Sequence, residues 1–404
     1  MPELKFIVRE PLLDRQQQLI GYELTWKQPE TDVEKPCAAD LNALVELLAD
    51  QLNDRTSGWP ASANLLFVEV ASTRLSTAAL ASLPPQTTVL TLTVDENLDA
   101  ETVVALQALR ARGFGISLRG PNLAAQDKML LALATHIEMR FTADNFTAQA
   151  KIYASLKQLP VRKVARQVGS WQEYDACVLL GLDAFAGQFH ATPRPGSLSK
   201  GLNPAQTIIL RLMGMVRKNA DVHQLEDMLK RDAALSYKLL RYINSAGFGL
   251  GFEIQSLRHG VQVLGYNPLY RWLSVLLATA STNEHSIVLM QTAIIRGRLT
   301  ELLGQPFLPK SDAENLFVTG MFSLLDRVLG IPMDDVLDKI QLPEAVSEAL
   351  LTRTGMYAPF LALAEACEQA SSGVSTLDAS LDVDAALINQ AHLSALAWAQ
   401  NLEI

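Results

Sequence analysis

Cysteine is scarce in this chain of 404 residues: Cys37, Cys177 and Cys367 stand far apart and form no C-x-x-C pair. Their number and spacing exclude a disulfide scaffold and a thiolate zinc site, and point to three buried thiols in a reducing compartment. Positive charge is short in both halves. Residues 1–195 hold 18 Lys and Arg against 22 Asp and Glu, and residues 196–404 hold 16 against 21. Neither half offers the basic surface that phosphate backbones need, so nucleic acid is not an expected partner. Long apolar runs are missing too. The best one, "WLSVLLATA" (Trp272–Ala280), has about half the length of a spanning helix. Lys5, Arg9 and Glu10 interrupt any apolar core near the start. No signal peptide or membrane insertion is therefore expected, and the expected location is the cytoplasm.

The common catalytic signatures are lacking as well. There is no H-E-x-x-H, no G-x-S-x-G and no P-loop. His223, His259, His285 and His392 have no partner at metal-ligand spacing, so they read as isolated surface or cap residues, although Glu226 lies three positions after His223. "SAGFGLGFE", with Gly247, Gly249 and Gly251, follows a helical stretch rather than a strand. It therefore reads as a helix-to-helix connection and not as a phosphate cradle.

What the sequence does contain is two different rhythms. In the first half, β-rich runs recur at "LKFIVR", "QLIGYELTW", "LLFVEVA", "TVLTLTV", "FGISL", "HIEMRF", "VRKVAR" and "DAFAGQF". Helical patterns separate them after the first pair; Val103, Leu106 and Leu109 make one face of a helix starting after Asp99. Eight strands with intervening helices fit a (β/α) barrel, with an open doubly wound sheet as the alternative. The first two strands read as a hairpin, which sets one antiparallel to the rest.

"ATPRPGSLSKGLNP" (Ala191–Pro204) reads as a linker, giving domains at 1–195 and 196–404. Beyond it the pattern is helical only. Leu235, Leu239, Leu240 and Ile243 form one stripe with Asp232 as N-cap, and Phe317, Met321, Leu324, Leu325 and Val328 form another. The fold class is thus α/β followed by all-α.

"FIVREPLLDRQQQLIGYELTW" resembles the opening of an EAL domain, the bacterial barrel whose active members hydrolyse cyclic di-GMP, and "GLDAFAGQFHATPRP" is similar to that family's last strand and exit. "LEDMLKRDAALSYKLLRYINSAGFG" and "IQSLRHGVQVLGYNPLYRWLSVLLA" resemble the HDOD module, an all-helical relative of HD phosphohydrolases. The whole chain is similar to EAL–HDOD two-domain signalling proteins. Active EAL enzymes hold two divalent cations with carboxylates and an asparagine. Measured against that pattern, Glu23 matches the signature glutamate. Glu69 stands for the asparagine, Thr91 for a glutamate, and Arg119 and Gly120 for paired aspartates. Glu138 and Arg140 stand for a lysine and an aspartate, and Arg166 and Gly169 for two glutamates. In "FVTGMFSLLDRVLG", Ser323 and Leu324 stand where an HD enzyme has its His-Asp pair.

Taken without the resemblance, Glu23 reads as a hydrated glutamate at a barrel rim. One carboxylate cannot hold two divalent cations, and Arg119 or Arg140 would add positive charge where the metals belong. The expectation is therefore a non-enzymatic regulator with no metal and no cofactor, acting through signalling, pilus or flagellar proteins and touching motility or biofilm control. Arg119, Glu138, Arg140 and Arg166 could instead pair internally as a salt-bridge network. The rival expectation is a receptor that binds cyclic di-GMP or another anion through Arg119, Arg140 and Arg166 without cutting it.

Overall fold

The computed structural model describes residues 5–27, 37–54, 59–60, 64–94, 98–120, 123, 128–141, 145–192, 194, 202–229, 232–244, 254–280, 286–340, 342–368 and 383–402. Most of the linker at 191–204, the glycines at 247, 249 and 251, and His285 lie outside these residues. The described chain divides into two compact units, one reaching Thr192 and including Cys367 and Glu368, the other holding the remaining helices.

The first unit is a closed eight-stranded barrel, not an open sheet. Its strands are β1 (Ile7–Asp14), β2 (Leu19–Trp26), β3 (Leu65–Glu69), β4 (Thr88–Thr93), β5 (Gly115–Arg119), β6 (His136–Arg140), β7 (Arg162–Arg166) and β8 (Ala184–Ala186). Strands β2 to β8 run parallel in chain order, while β1 is antiparallel to both β2 and β8 and closes the ring between them. The hairpin expected from the sequence is present, but β1 extends through "EPLLD", leaving only Arg15–Gln18 for the turn.

Helices α1 (Ala38–Asn53), α2 (Ala78–Ser82), α3 (Ala100–Ala111), α4 (Lys128–Leu133), α5 (Phe146–Leu156) and α6 (Trp171–Leu180) fill the intervals. Asp99 caps α3 by accepting from the Thr102 N–H. Ser170 caps α6, and Gly181, in the left-handed region, ends it. Strands covered on both faces need apolar side chains on both, which is why β4 reads "TVLTLT" and is buried along almost its whole length. Leu12, Phe67, Val89, Val164, Ala184 and Ala186 pack the barrel interior. By the two-residue period of each strand, Glu10, Glu23, Glu69, Arg119, Glu138 and Arg166 share that interior face, nearer the carboxyl ends of the parallel strands.

The second unit is helical throughout its described residues: α7 (Pro204–Arg217), α8 (Val222–Leu229), α9 (Ala233–Ile243), α10 (Leu257–Leu264), α11 (Tyr266–Thr279), α12 (Ser286–Gly304), α13 (Lys310–Phe322), α14 (Leu325–Leu329), α15 (Met333–Leu337), α16 (Glu344–Leu351), α17 (Ala358–Ala366) and α18 (Ala385–Gln400). Asn203 and Gln206 form a capping box at α7, with Pro204 at its first position. Asp232 caps α9 by accepting from the Leu235 N–H. The stripe from Phe317 to Val328 is buried as expected, but it spans two helices, because the chain turns at Ser323–Leu324.

Three readings need correction. Cys37 is exposed, just before α1, whereas Cys177 and Cys367 are buried. His392 is a core residue of α18, only 1% exposed, because it lies on that helix's apolar face. His223 is exposed but not isolated: Arg258 Nη2 lies 2.7 Å from its Nδ1 and 3.5 Å from Glu226 Oε2. No described helix is long and apolar enough to cross a membrane.

Candidate functional site

Five charged residues meet inside the barrel. Arg119 ends β5 and its guanidinium reaches three carboxylates. Nη1 donates to Glu23 Oε1 at 2.9 Å and lies 3.4 Å from Glu138 Oε2, while Nη2 pairs with Glu69. Its Nε donates to Thr93 Oγ1 at 3.1 Å, and the Thr93 hydroxyl donates to Glu69 Oε1 at 2.7 Å. Arg166 ends β7 and clamps Glu23, donating from Nη2 to both carboxylate oxygens at 2.7 and 2.8 Å. Its Nε is 3.1 Å from Glu138 Oε2. The other Glu138 oxygen accepts from the hydroxyls of Ser117 at 2.6 Å and Thr91 at 3.1 Å.

Glu23 is therefore not a hydrated rim residue. It is 5% exposed, because its place within β2 points it into the barrel. Burial alone would raise its pKa, but Arg166 and Arg119 outweigh burial and lower it to about 2. Burial pushes both guanidiniums the other way, toward losing their protons. The carboxylates overcome this and hold Arg119 and Arg166 above the ordinary arginine value. Arg140 stays out of the network. It is one inward position beyond Glu138 on β6, and that extra step leaves it exposed. Gly169 also lies outside, in the turn before α6, where its N–H donates to Glu173 Oε2 at 2.7 Å. Gly120 has a φ of +147°, and a Cβ there would lie 2.0 Å from the Val94 carbonyl oxygen. Close backbone approach dictates glycine at that position.

Sequence reasoning missed Glu10, which pairs in register with Glu23 across the antiparallel β1–β2 ladder. Burial, reinforced by the nearby Glu23 charge, raises its pKa to about 7. The signal was available: Glu10 has the same parity on β1 as Leu12, so the two share a face. Thr93 and Ser117 were likewise legible only as strand residues. Three carboxylates, from Glu23, Glu69 and Glu138, face two guanidiniums, and Glu10 sits beside this cluster.

In the helical unit, Ser323 Oγ donates to the Gly320 carbonyl at 2.6 Å and accepts from Arg296 Nη1 at 2.7 Å. Arg296 also donates to Glu365 Oε1 at 3.0 Å, and Leu324 is buried. Among the described residues, no group of three or more His, Cys, Asp or Glu is arranged to hold a metal ion.

Residues 202–326 match the HDOD domain family. The chain carries an HDOD domain. Ser323 and Leu324 fall near the end of its matched segment. Over its full length the chain is similar to the uncharacterized protein YuxH of Bacillus subtilis, at 24% identity over 98% of each chain. It is also similar to the cyclic di-GMP phosphodiesterase CdgJ of Vibrio cholerae, at 22% identity over 98% of this chain and 93% of that one. Structural neighbours of the half preceding the HDOD domain are EAL proteins. One is the PaMucR phosphodiesterase in complex with c-di-GMP, with a TM-score of 0.37, 16% identity, and coverage of 48% of this chain and 93% of that one. Another is a standalone EAL protein from Vibrio cholerae O395, with a TM-score of 0.37, 12% identity, and coverage of 48% of this chain and 93% of that one.

Proposed function

We propose that this protein is a non-enzymatic regulator in cyclic di-GMP signalling, acting through contacts with other proteins. One observation carries this reading: the Arg119 guanidinium sits among Glu23, Glu69 and Glu138, the carboxylates a divalent cation would need. A cation entering there would face Arg119 and Arg166 at close range in a medium of low dielectric, where like-charge repulsion is worth several kcal/mol. It would also have to break the ion pairs already made. The carboxylates thus compensate arginines instead of coordinating metal, which speaks against metal activation of a water. The similarity to CdgJ supports the signalling context, and its name as a phosphodiesterase defines the activity to be tested.

Purified full-length protein, incubated with cyclic di-GMP and Mg²⁺ or Mn²⁺, is expected to give no hydrolysis above a no-protein control. Turnover that disappears in Glu23→Ala would overturn the proposal. The receptor reading loses its strongest support in the same geometry. Arg119 and Arg166 already bind carboxylates, and Arg140 lies outside the cluster. Calorimetry with cyclic di-GMP at about 100 μM is expected to give no heat, on the scale at which even micromolar affinity would be evident.

A further inference from the structure

Within the HDOD domain, α7, α10, α11 and α13 line a cavity of about 190 Å³, whose lining does not include Ser323 or Leu324. Leu264, Pro268, Trp272 and Val318 give it an apolar wall. Two of its lining residues, Tyr270 and Arg271, each carry a buried donor with no acceptor, and half-buried Arg217 lies beside them. The Tyr270 hydroxyl is buried with no hydrogen-bond partner, and Tyr270 as a residue is 5% exposed. Arg271 is held by Glu301 through Nη1 at 2.6 Å and lies 3.9 Å over the Phe317 ring, yet its buried Nε has no partner. Arg217 stacks over the Tyr270 ring at 5.2 Å and makes no ion pair among the described residues.

A buried polar group without a partner calls for an explanation, and two on neighbouring residues of one wall call for a common one. Local charge gives the sign of what is missing. Arg271 and Arg298 share the single carboxylate of Glu301, at 2.6 and 2.7 Å. Arg217 adds a third cation, and Glu314, which accepts from Asn267 at 3.0 Å, is the one carboxylate among the lining residues. Three guanidiniums against two carboxylates leave one positive charge in excess. Burial accordingly lowers the Arg271 pKa from its ordinary value, despite Glu301.

We propose that this cavity is a binding site for a small organic phosphate, with the phosphate group received by Arg217, Tyr270 and Arg271 and its organic body against Trp272, Pro268 and Val318. A phosphate presents three terminal oxygens to three donors, whereas a carboxylate has two. The apolar wall gives an organic ester an advantage over the bare ion. This site is separate from the barrel cluster and independent of whether that cluster hydrolyses anything.

The test is calorimetry on the full-length protein with phenyl phosphate, 5′-AMP and 5′-GMP, set against inorganic phosphate, benzoate and adenosine. At least one of the three esters is expected to bind with a Kd below about 1 mM. Inorganic phosphate, benzoate and adenosine should each bind about tenfold more weakly or not at all. Arg217→Gln and Tyr270→Phe should each weaken the ester about tenfold. Tyr270→Phe should leave the melting temperature of the ligand-free protein unchanged or higher, because its hydroxyl is unpartnered. Binding by none of the esters overturns the proposal. Benzoate binding as tightly as phenyl phosphate overturns the phosphate assignment, and an affinity untouched by both variants overturns the location.

Discussion

The barrel and the helical unit each bury an arginine, but among different partners. In the barrel, Arg119 and Arg166 enter a nest of carboxylates and the charges hold one another. In the helical unit, Arg296 meets a serine hydroxyl, and the neighbouring Leu324 is part of the core. The first cluster sets three acids against two bases; in the second, one arginine is shared between a hydroxyl and the single carboxylate of Glu365. Buried ion networks contribute little net stability compared with a well-packed apolar core, but breaking one leaves charges stranded. The two units should therefore fail under different insults.

The sharpest way to break the comparison is Arg119→Ala, which leaves Glu23, Glu69 and Glu138 with only Arg166. A loss of about 3–5 kcal/mol is expected, confined to the barrel and read by hydrogen exchange resolved by peptide. The mirror experiment adds charge to the helical unit. Leu324→Asp buries an unpaired carboxylate and should cost about 3 kcal/mol there while leaving barrel protection intact. Equal loosening of both units in either variant would end the distinction.

Acid gives the next largest effect. The Glu23 pKa is lowered in the fold to about 2 from 4.5, so its contribution is complete above pH 4.5 and fades as pH falls toward 2. The loss amounts to about 3 kcal/mol in the barrel. Glu23→Gln should flatten that limb of the barrel's stability against pH. Glu10 works with the opposite sign. Its pKa is raised in the fold from 4.5 to about 7, so it costs nothing below pH 4.5 and its full penalty above pH 7. Glu10→Gln should accordingly stabilise the barrel by about 1–3 kcal/mol at pH 8 and have much less effect at pH 5, measured as the shift in the urea midpoint.

The architecture was legible because its signals are local. The Asp99 and Asp232 caps and eight β-rich runs at barrel spacing all fall where the structure has them. The site was legible only in part. Arg119, Glu138 and Arg166 could be named as partners, but Arg140 could not be separated from them. Inward parity alone does not say how far along a strand the barrel remains closed to solvent. Glu10 was hidden for a related reason: β1 runs backwards, so the start of that strand meets the carboxyl ends of the others. The break at Ser323–Leu324 left no mark, since an apolar stripe looks the same whether one helix or two carry it. The donors of α7 and α11 meet only in three dimensions, and no spacing rule joins Arg217 to Tyr270.

The placement of β1 also bears on the order in which the protein can be made. Within the barrel this strand is made first, yet one of its two neighbours is Ala184–Ala186, the last barrel strand to be synthesised. Until then a growing chain carries open strand edges, which are templates for pairing with the wrong neighbour. The charge cluster keeps the same schedule: Glu10 and Glu23 emerge early, whereas Arg166 arrives on β7. A ribosome stalled before β7 would therefore hold a barrel that is both open at its seam and short of one of the two cations its buried acids require.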